Sequence, residues 1–441
     1  MDIYKYLGKS FVCEFCGGLH TSPVKAIEKR TIKELPSFVS SLLPEVKSTS
    51  LIADNIVWEV MGERCKKALE TCFDVISHTI YPIKEKRVTA RQEYIEGILS
   101  ACHKADAIIT AGTGTITDLG KYAGDLLKKP VISLPTAPSM NAYTSGVAAL
   151  IKCGVKLTFP VKPVEGVFID ESILSESPIE LIQAGFADSS AKSCANADWK
   201  LSSIITGENF CGLPLRIVNE VEKRYIDKGE LLLRRDRETL GWLMEGLNLG
   251  GISMLIAGTS SPASGGEHLI SHFLDMYTHQ HKREPFAYHG LQVGTGIYIS
   301  SVIYEYLRSF SSSEIKNRLQ KRRTTNYEDK LRQIKETFPS SADIIEEELK
   351  KKIEIDIKIR DVLPERWDDI KRNVFPIVYK PDRVKKFLGM AGCPVNLKDI
   401  GVDKDLAMKV ITLSRFIRGR LVVLDIADQS GLIEEIAEQV F

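Results

Sequence analysis

The stretch Ser264-Gly265-Gly266-Glu267-His268-Leu269-Ile270-Ser271-His272 places two imidazoles four residues apart. Side chains at i and i+4 stack on one helical face. Ser264 with Glu267 three residues later has the pattern of a capping box, which predicts a helix starting there. His268 then falls in the first turn and His272 one turn further along. Two imidazoles beside a Gly-rich turn suit metal binding or proton transfer, and the same spacing fits two ordinary, partly buried histidines. Asp188, in Gly185-Phe186-Ala187-Asp188, lies on a mostly apolar helical stretch, where a carboxylate needs a partner or a cation. His289 stands at the start of a further helix. One carboxylate and two imidazoles from three helices make a three-ligand site that leaves metal positions open for substrate. Spacing alone does not select this set from the 8 histidines and many acids of the chain.

A second group is Cys13-Glu14-Phe15-Cys16-Gly17-Gly18-Leu19-His20. A C-x-x-C turn with a nearby His can be half of a structural zinc site, but four ligands are needed and no second Cys pair follows at knuckle spacing. The other reading is a tight Gly turn between two short strands.

Apolar patterning supplies the elements that must position these residues. Short apolar runs at 50–53, 105–110, 130–134 and 167–170 read as strands, and they alternate with helical spacing up to about residue 175. That pattern predicts a parallel α/β domain. Asp54 ends the first run, where an acid can bind a ribose hydroxyl or cap the following helix. The second run leads into Ala111-Gly112-Thr113-Gly114-Thr115-Ile116-Thr117-Asp118 and a helix. A strand, a Gly turn and a helix N-terminus offer backbone N–H groups to an anion. The pattern is neither G-x-G-x-x-G nor a Walker loop. The third run opens into a hydroxyl-rich loop from Pro135 to Ser145 at the sheet edge where such folds place ligands. Beyond Pro178 the spacing is helical to Phe441. The charged stretch from Ser311 to Lys371 reads as a solvated helical surface, and 416–425 as a buried helix.

Composition narrows the function classes. Lys+Arg 59 against Asp+Glu 58 leaves a net charge of +1, which gives no electrostatic case for nucleic acid or an anionic membrane. No apolar run reads as a bilayer span, and no apolar core follows the N-terminus as in a signal peptide. Scattered cysteines, 9 in number, suit a reducing cytoplasm better than a disulfide framework.

Five motifs together resemble one family: Gly114-Thr115-Ile116-Thr117-Asp118, Leu134-Pro135-Thr136-Ala137-Pro138-Ser139, Gly185-Phe186-Ala187-Asp188, Ser264-Gly265-Gly266-Glu267-His268 and His289-Gly290. They look like those of the sn-glycerol-1-phosphate dehydrogenases. These belong to the glycerol dehydrogenase, iron-containing alcohol dehydrogenase and dehydroquinate synthase-like superfamily. The resemblance covers almost the whole chain. It implies a Rossmann-like, nucleotide-binding α/β domain over 1–177, an all-α metal- and substrate-binding domain over 178–441, and a cleft between them. By the same resemblance Asp188, His268 and His289 match the metal ligands. Asp54, Gly112, Gly114, Thr115, Ile116, Thr117, Asp118, Thr136, Ala137, Pro138, Ser139 and Ser145 match the dinucleotide contacts. His272 matches a substrate-contacting histidine and Asp188 also touches substrate, which makes these two the catalytic candidates. Lys192 is a candidate phosphate contact; Arg418 and Arg420 are weaker ones that can equally serve salt bridges. The chain departs from the pattern at Asn141, where related dehydrogenases have Asp, and at Ala111, Thr113, Ala142 and Ala187, where Gly is usual.

The expected activity is therefore a metal-dependent, NAD(P)-linked oxidoreduction between dihydroxyacetone phosphate and sn-glycerol 1-phosphate or a related polyol phosphate. It would belong to phospholipid biosynthesis, in a cytoplasmic homo-oligomer. Asp54 favours NAD(H), with NADP(H) as the alternative. Zinc is the first choice of metal, with iron and nickel also suited to the donor set. Two rivals are a dehydroquinate-synthase-like lyase or cyclase and a glycerol dehydrogenase acting on free polyol. A third is a non-catalytic metal or nucleotide sensor. Thr144-Ser145-Gly146 stands where the cyclases carry Gly-Gly-Lys.

Overall fold

Strands buried on both faces are what a parallel sheet between helical layers requires, and the apolar runs of this chain have that character. The computed structural model describes residues 3–83, 86–152, 154–322 and 325–441. Of the positions read above, Met1, Asp2, Cys153, Arg323 and Thr324 lie outside the described residues.

Two compact units are present. The first comprises Met1–Lys152, Lys156–Ser189 and Arg216–Gly258; the second comprises Cys153–Val155, Ser190–Leu215 and Thr259–Phe441. The first opens with a hairpin of β1 (Lys9–Val12) and β2 (Leu19–Ser22). Its centre is a parallel sheet of β3 (Ala26–Lys29), β4 (Ser48–Asp54), β5 (Asp74–Ile80), β6 (Ala107–Gly112), β7 (Val131–Pro135) and β10 (Gly166–Ile169). β8 (Val147–Lys152) and β9 (Val155–Pro160) pair separately. The order in the large sheet is β3-β10-β7-β6-β4-β5. Alternate side chains feed two cores. Ile52, Ile108, Val131 and Val167 pack on one face, and Leu51, Ile109, Ile132 and Phe168 on the other.

The strand order carries functional information. From β4 the chain steps outward to β5, then returns to the opposite side of β4 as β6. That reversal leaves a crevice beyond the C-terminal ends of β4 and β6, where open α/β sheets bind ligands. Asp54 ends β4 and Gly112 ends β6.

Seven helices complete what the site needs. They are α1 (Gly114–Leu127), α2 (Ile179–Ser190), α3 (Lys192–Thr206), α4 (Gly212–Glu222), α5 (Arg237–Ala257), α6 (Gly266–Gln280) and α7 (His289–Ser309). Two more lie in the second unit, α8 (Ala342–Asn373), buried along one face, and α9 (Val423–Gln429), wholly buried. Helices make up nearly all regular structure after β10. Arg216–Gly258, which follows the expected boundary at residue 177, belongs to the first unit because α5 packs on its loops: a Cβ on Gly251 would stand 2.1 Å from Thr144 Oγ1.

Three expectations need correction. α5 is long and apolar enough to cross a bilayer by length and composition, contrary to the reading that no run qualifies. It is a core helix here, with 78% of its apolar window buried inside the molecule. Residues 416–425 are not one helix. A 3₁₀ turn at Ser414–Ile417 gives way to extended chain, because Asp425 folds back to accept from Val422 N–H (2.8 Å) and starts α9 only at Val423. The charged stretch is not wholly solvated either. Lys352 and Asp356 of α8 turn inward, where Lys352 pairs with Asp425 and Arg415 pairs with Asp356, Asp425 and Asp428.

Candidate active site

Within the first unit the site residues collect at the sheet's C-terminal edge. β6 ends in Gly112 and α1 begins at Gly114, so only Thr113 separates strand from helix. A Cβ at Gly114 would fall 2.2 Å from Met140 Sδ and 2.9 Å from Ala142 Cβ, so a side chain there would have to push Met140 aside. Thr136 N–H donates to Gly112 O (3.1 Å), which ties the Thr136–Ser139 loop to the same turn. Behind it, Ser139 Oγ and the Tyr143 hydroxyl lie 3.0 Å apart, and burial pushes the Tyr143 phenol up to about 12.

Lys121, which sequence reasoning passed over, holds this loop. It is wholly buried, and its Nζ donates to Ala142 O (2.7 Å), Val147 O (2.6 Å) and Ser145 Oγ (2.9 Å). It also pairs with Asp118 Oδ1 at 2.9 Å, while Asp118 Oδ2 accepts from Ala149 N–H (3.1 Å). Asp118 and Ser145 therefore anchor the turn through Lys121. Thr117 Oγ1 reaches Ser133 Oγ (3.1 Å) in the same layer, and Ile116 is core. Asp54 caps the following helix, accepting from Val57 N–H at 2.8 Å, and burial raises its carboxyl above the usual range.

Asp188 and Asn141 form the other cluster of this unit. Both are buried, and Asp188 Oδ2 accepts from Asn141 N–H (3.0 Å) and from Asn141 Nδ2 (2.6 Å). A carboxylate only accepts, so the amide must present its nitrogen here. That leaves Asn141 Oδ1 buried with no hydrogen-bond partner among the described residues. Gly185, three residues before Asp188 on α2, seats the helix: a Cβ there would stand 1.6 Å from Pro138 O.

Three imidazoles cluster in the second unit. The ring centroids of His268 and His289 lie 5.4 Å apart, and His272 stacks on His289 at 5.6 Å with 15° between planes. His268 and His289 each place a ring nitrogen within 4.8 Å of the other's. Close approach of α6 and α7 makes this cluster, and Gly296 permits it, since a Cβ there would fall 2.4 Å from Glu267 O.

Neighbouring groups set which nitrogen each ring offers. His268 Nδ1 faces Glu267 Oε1 at 2.9 Å, so Nδ1 carries the proton and Nε2 is the basic nitrogen. For His289 the chain of bonds is longer. Gln292 Nε2 donates to Ala287 O (3.0 Å), which turns Gln292 Oε1 toward Ser271. Ser271 Oγ gives its one proton to that oxygen (3.1 Å) and accepts from His289 Nδ1 (2.8 Å). His289 therefore carries its proton on Nδ1, and Nε2 is again the basic nitrogen. Glu267, Ser271 and Gln292 were not identified as orienting residues in the sequence; a Glu directly preceding His268 was the one available signal, and it was read as part of a capping box.

The expected capping box is absent. Ser264 is extended (φ −152°, ψ 101°), and α6 starts at Gly266 with Gly265 as its cap. Glu267 is committed to His268 and to Gly265 N–H (2.8 Å), and Asp198 Oδ2 takes Gly266 N–H (2.7 Å) instead. Lys192 opens α3 with its side chain wholly buried. Arg420 hydrogen-bonds Ser264 O (2.8 Å) and Ser260 Oγ (2.9 Å), just ahead of α6, and burial lowers its guanidinium from the usual value. Burial lowers Arg418 as well, against the pull of Glu348.

Comparison with known proteins gives this arrangement its context. The model of the family described as iron-containing alcohol dehydrogenase matches residues 26–178. A glycerol-1-phosphate dehydrogenase [NAD(P)+] of Bacillus licheniformis is 27% identical over 98% of this chain and 96% of its own. One from Pyrococcus furiosus is 33% identical over 61% of this chain and 75% of its own. The chain belongs to the glycerol-1-phosphate dehydrogenase family. In fold the family member resembles a glycerol dehydrogenase from Schizosaccharomyces pombe, with a TM-score of 0.61 at 15% identity over 95% of this chain and 91% of that one. An iron-containing alcohol dehydrogenase from Thermococcus thioreducens gives 0.61 at 14% identity, over 94% and 98%.

Proposed function

We propose that this protein interconverts dihydroxyacetone phosphate and sn-glycerol 1-phosphate, or a closely related polyol phosphate, using NAD(H) in preference to NADP(H) and one divalent metal. The observation that carries the reading is the oriented pair His268 and His289, whose Nδ1 contacts fix the tautomer with a basic Nε2, the form in which an imidazole ligates. Asp188 completes the proposed ligand set. A carboxylate and two imidazoles fit zinc, iron or nickel, with zinc the first choice. Residues 1–177 would serve the dinucleotide and 178–441 the metal and substrate, in a reducing cytoplasm and as a homo-oligomer. None of the described cysteines is in a disulfide, in keeping with that compartment.

When bound, such a cation supplies Lewis acidity at the reacting oxygen. The chain's own residues do the rest. Asp54 and the backbone N–H groups at the N-terminus of α1 would hold the ribose and phosphates of a dinucleotide, which would supply or accept the hydride. Asn141 steadies the Asp188 carboxylate and offers Oδ1 to a substrate hydroxyl. His272, stacked on His289, exchanges a proton with the substrate oxygen or fixes a neighbouring hydroxyl. Lys192 and Arg420 are the cations proposed for the phosphate, and Arg420, half-buried and hydrogen-bonded to Ser264 O and Ser260 Oγ, is suited to an anion.

The test is turnover of dihydroxyacetone phosphate followed by NADH absorbance, with zinc, iron or nickel supplied, beside free dihydroxyacetone and NADPH. Net NADH consumption with the phosphorylated ketone is expected; consumption with free ketone alone, or none, overturns the assignment. His268→Ala is expected to remove the metal and the activity while leaving the helical signal in circular dichroism unchanged. Full metal occupancy with normal turnover in that variant would refute the ligand set.

A further inference from the structure

The C-x-x-C hairpin takes no part in the chemistry above. β1 and β2 pair antiparallel from Lys9↔Ser22 to Val12↔Leu19, and the connecting loop folds tightly. Cys13 N–H donates to Gly18 O and Gly17 N–H to Cys13 O, both at 2.9 Å. Gly17 takes φ +71°, the left-handed conformation that lets the chain reverse inside so short a loop. The expected Gly turn between two strands is therefore present, and it also gathers donors. Phe15 N–H approaches Cys13 Sγ at 3.4 Å, a contact that stabilises a thiolate. Cys16 Sγ lies 3.1 Å from His20 Nε2.

One ligand atom from each of Cys13, Cys16 and His20 lies within 4.8 Å of the other two. Bonds of about 2.3 Å to sulfur and about 2.0–2.1 Å to nitrogen require such closeness around one tetrahedral ion. A fourth thiol is at hand in the sequence of the neighbouring helix. Cys211 immediately precedes α4, and Arg216 of α4 lies over the Phe15 ring, 5.4 Å from its centroid, between the two cysteines of the turn. A helix N-terminus favours the thiolate form.

We propose that Cys13, Cys16, His20 and Cys211 hold a structural zinc ion. Three thiolates and one imidazole make a closed, soft set that selects zinc over calcium or magnesium and leaves no position for substrate. On binding, the three thiols release their protons to solvent; nothing is oxidised. The physical need is plain in the hairpin itself. A two-stranded ribbon is marginal alone, and this one leaves Val12 and Leu19 exposed, so a metal clip supplies the stability that an apolar core would otherwise give.

The experiment counts metal in the full chain, purified in reductant from zinc-supplemented cells, for the parent and for Cys16→Ser, Cys211→Ser and His268→Ala. The cysteine variants are expected to lose one equivalent of zinc each and to keep the metal that depends on His268, so the two sites fail separately. Cobalt-loaded parent is expected to show intense near-ultraviolet thiolate-to-metal absorption that Cys16→Ser lacks. A mercurial titrated into the unaltered parent, with a chromogenic chelator present, should release zinc in step with the loss of three thiols, which keeps the test valid if the variants fail to fold. Unchanged zinc in both cysteine variants, no thiolate absorption from the cobalt protein, or a Cys13–Cys16 disulfide in non-reduced peptide maps would each overturn the proposal.

Discussion

At the scale of single residues, Asn141 is the most informative departure from the family pattern. Its amide donates to Asp188 Oδ2 at 2.6 Å, a contact that an Asp at this position could make only by retaining a proton. Asn141→Asp would set two carboxylates side by side and make the site more negative. We expect efficiency with dihydroxyacetone phosphate to drop by about tenfold or more relative to free dihydroxyacetone, given roughly 1.5–3 kcal/mol for a charge-assisted hydrogen bond. The ratio of kcat/KM for the two ketones measures this; an unchanged ratio means that Asn141 Oδ1 does not meet substrate. The sequence located His268, His272 and His289 on helices in the right turns. It did not disclose what orients them, because Ser271 acts on His289 only through the approach of α7 and the amide of Gln292. A partner defined by another helix leaves no local spacing to read.

Among elements, the contrast lies between strands that could be read and strands that could not. β4, β6, β7 and β10 are apolar on both faces and stand out as runs. β5 sits at the sheet edge and carries Ser77, His78 and Thr79 among its apolar residues, so it offers no run to detect. Helix starts were legible where a cap is local, and misread at α6, where the cap is Asp198 from another helix. Glycine spacing carried more than it revealed. Gly185 lets α2 lie against Pro138 O, and an added Cβ at 1.6 Å must displace backbone. Gly185→Ala is expected to destabilise by about 1–3 kcal/mol or more and to disturb Asp188, one turn along. Urea unfolding and metal content together check it: a fall in both is expected, and a normal urea midpoint with normal metal means the helix shifts without consequence.

For the molecule as a whole, a net charge of +1 says little, because the charges that matter are buried. Arg415 and Lys352 are surrounded by Asp356, Asp425 and Asp428, a network whose removal on one side would leave uncompensated charge. Asp198 differs, because no cationic partner among the described residues offsets its burial. Burial first, and the charge of Glu267 second, raise its carboxyl to about 7. An unfolded Asp releases its proton near pH ~3.9. Between those values the folded state keeps a proton that the unfolded state has lost. Asp198 therefore favours folding fully at acid pH, and that contribution disappears as pH rises through about 7. Parent stability should fall by about 1.4 kcal/mol per pH unit inside this window on account of this group, and Asp198→Asn should lose that slope. Urea midpoints at pH 5 and pH 7, compared between the two proteins, decide it; equal slopes would place the proton elsewhere.

The division of the chain has a consequence for how the protein is made. All six strands of the large sheet have been synthesised once Ile169 is added, yet α5, which supplies Met244 to one core and presses Gly251 onto the Thr144 loop, is not finished until Ala257. At about 5–20 residues per second a ribosome needs several seconds to add the intervening stretch. For that time the nascent sheet is an unfinished body with an uncovered apolar seam, while α3 emerges between its parts. A gene cut after residue 177 would release that unfinished state permanently, so the sheet belongs to a longer translation unit than its strands alone suggest.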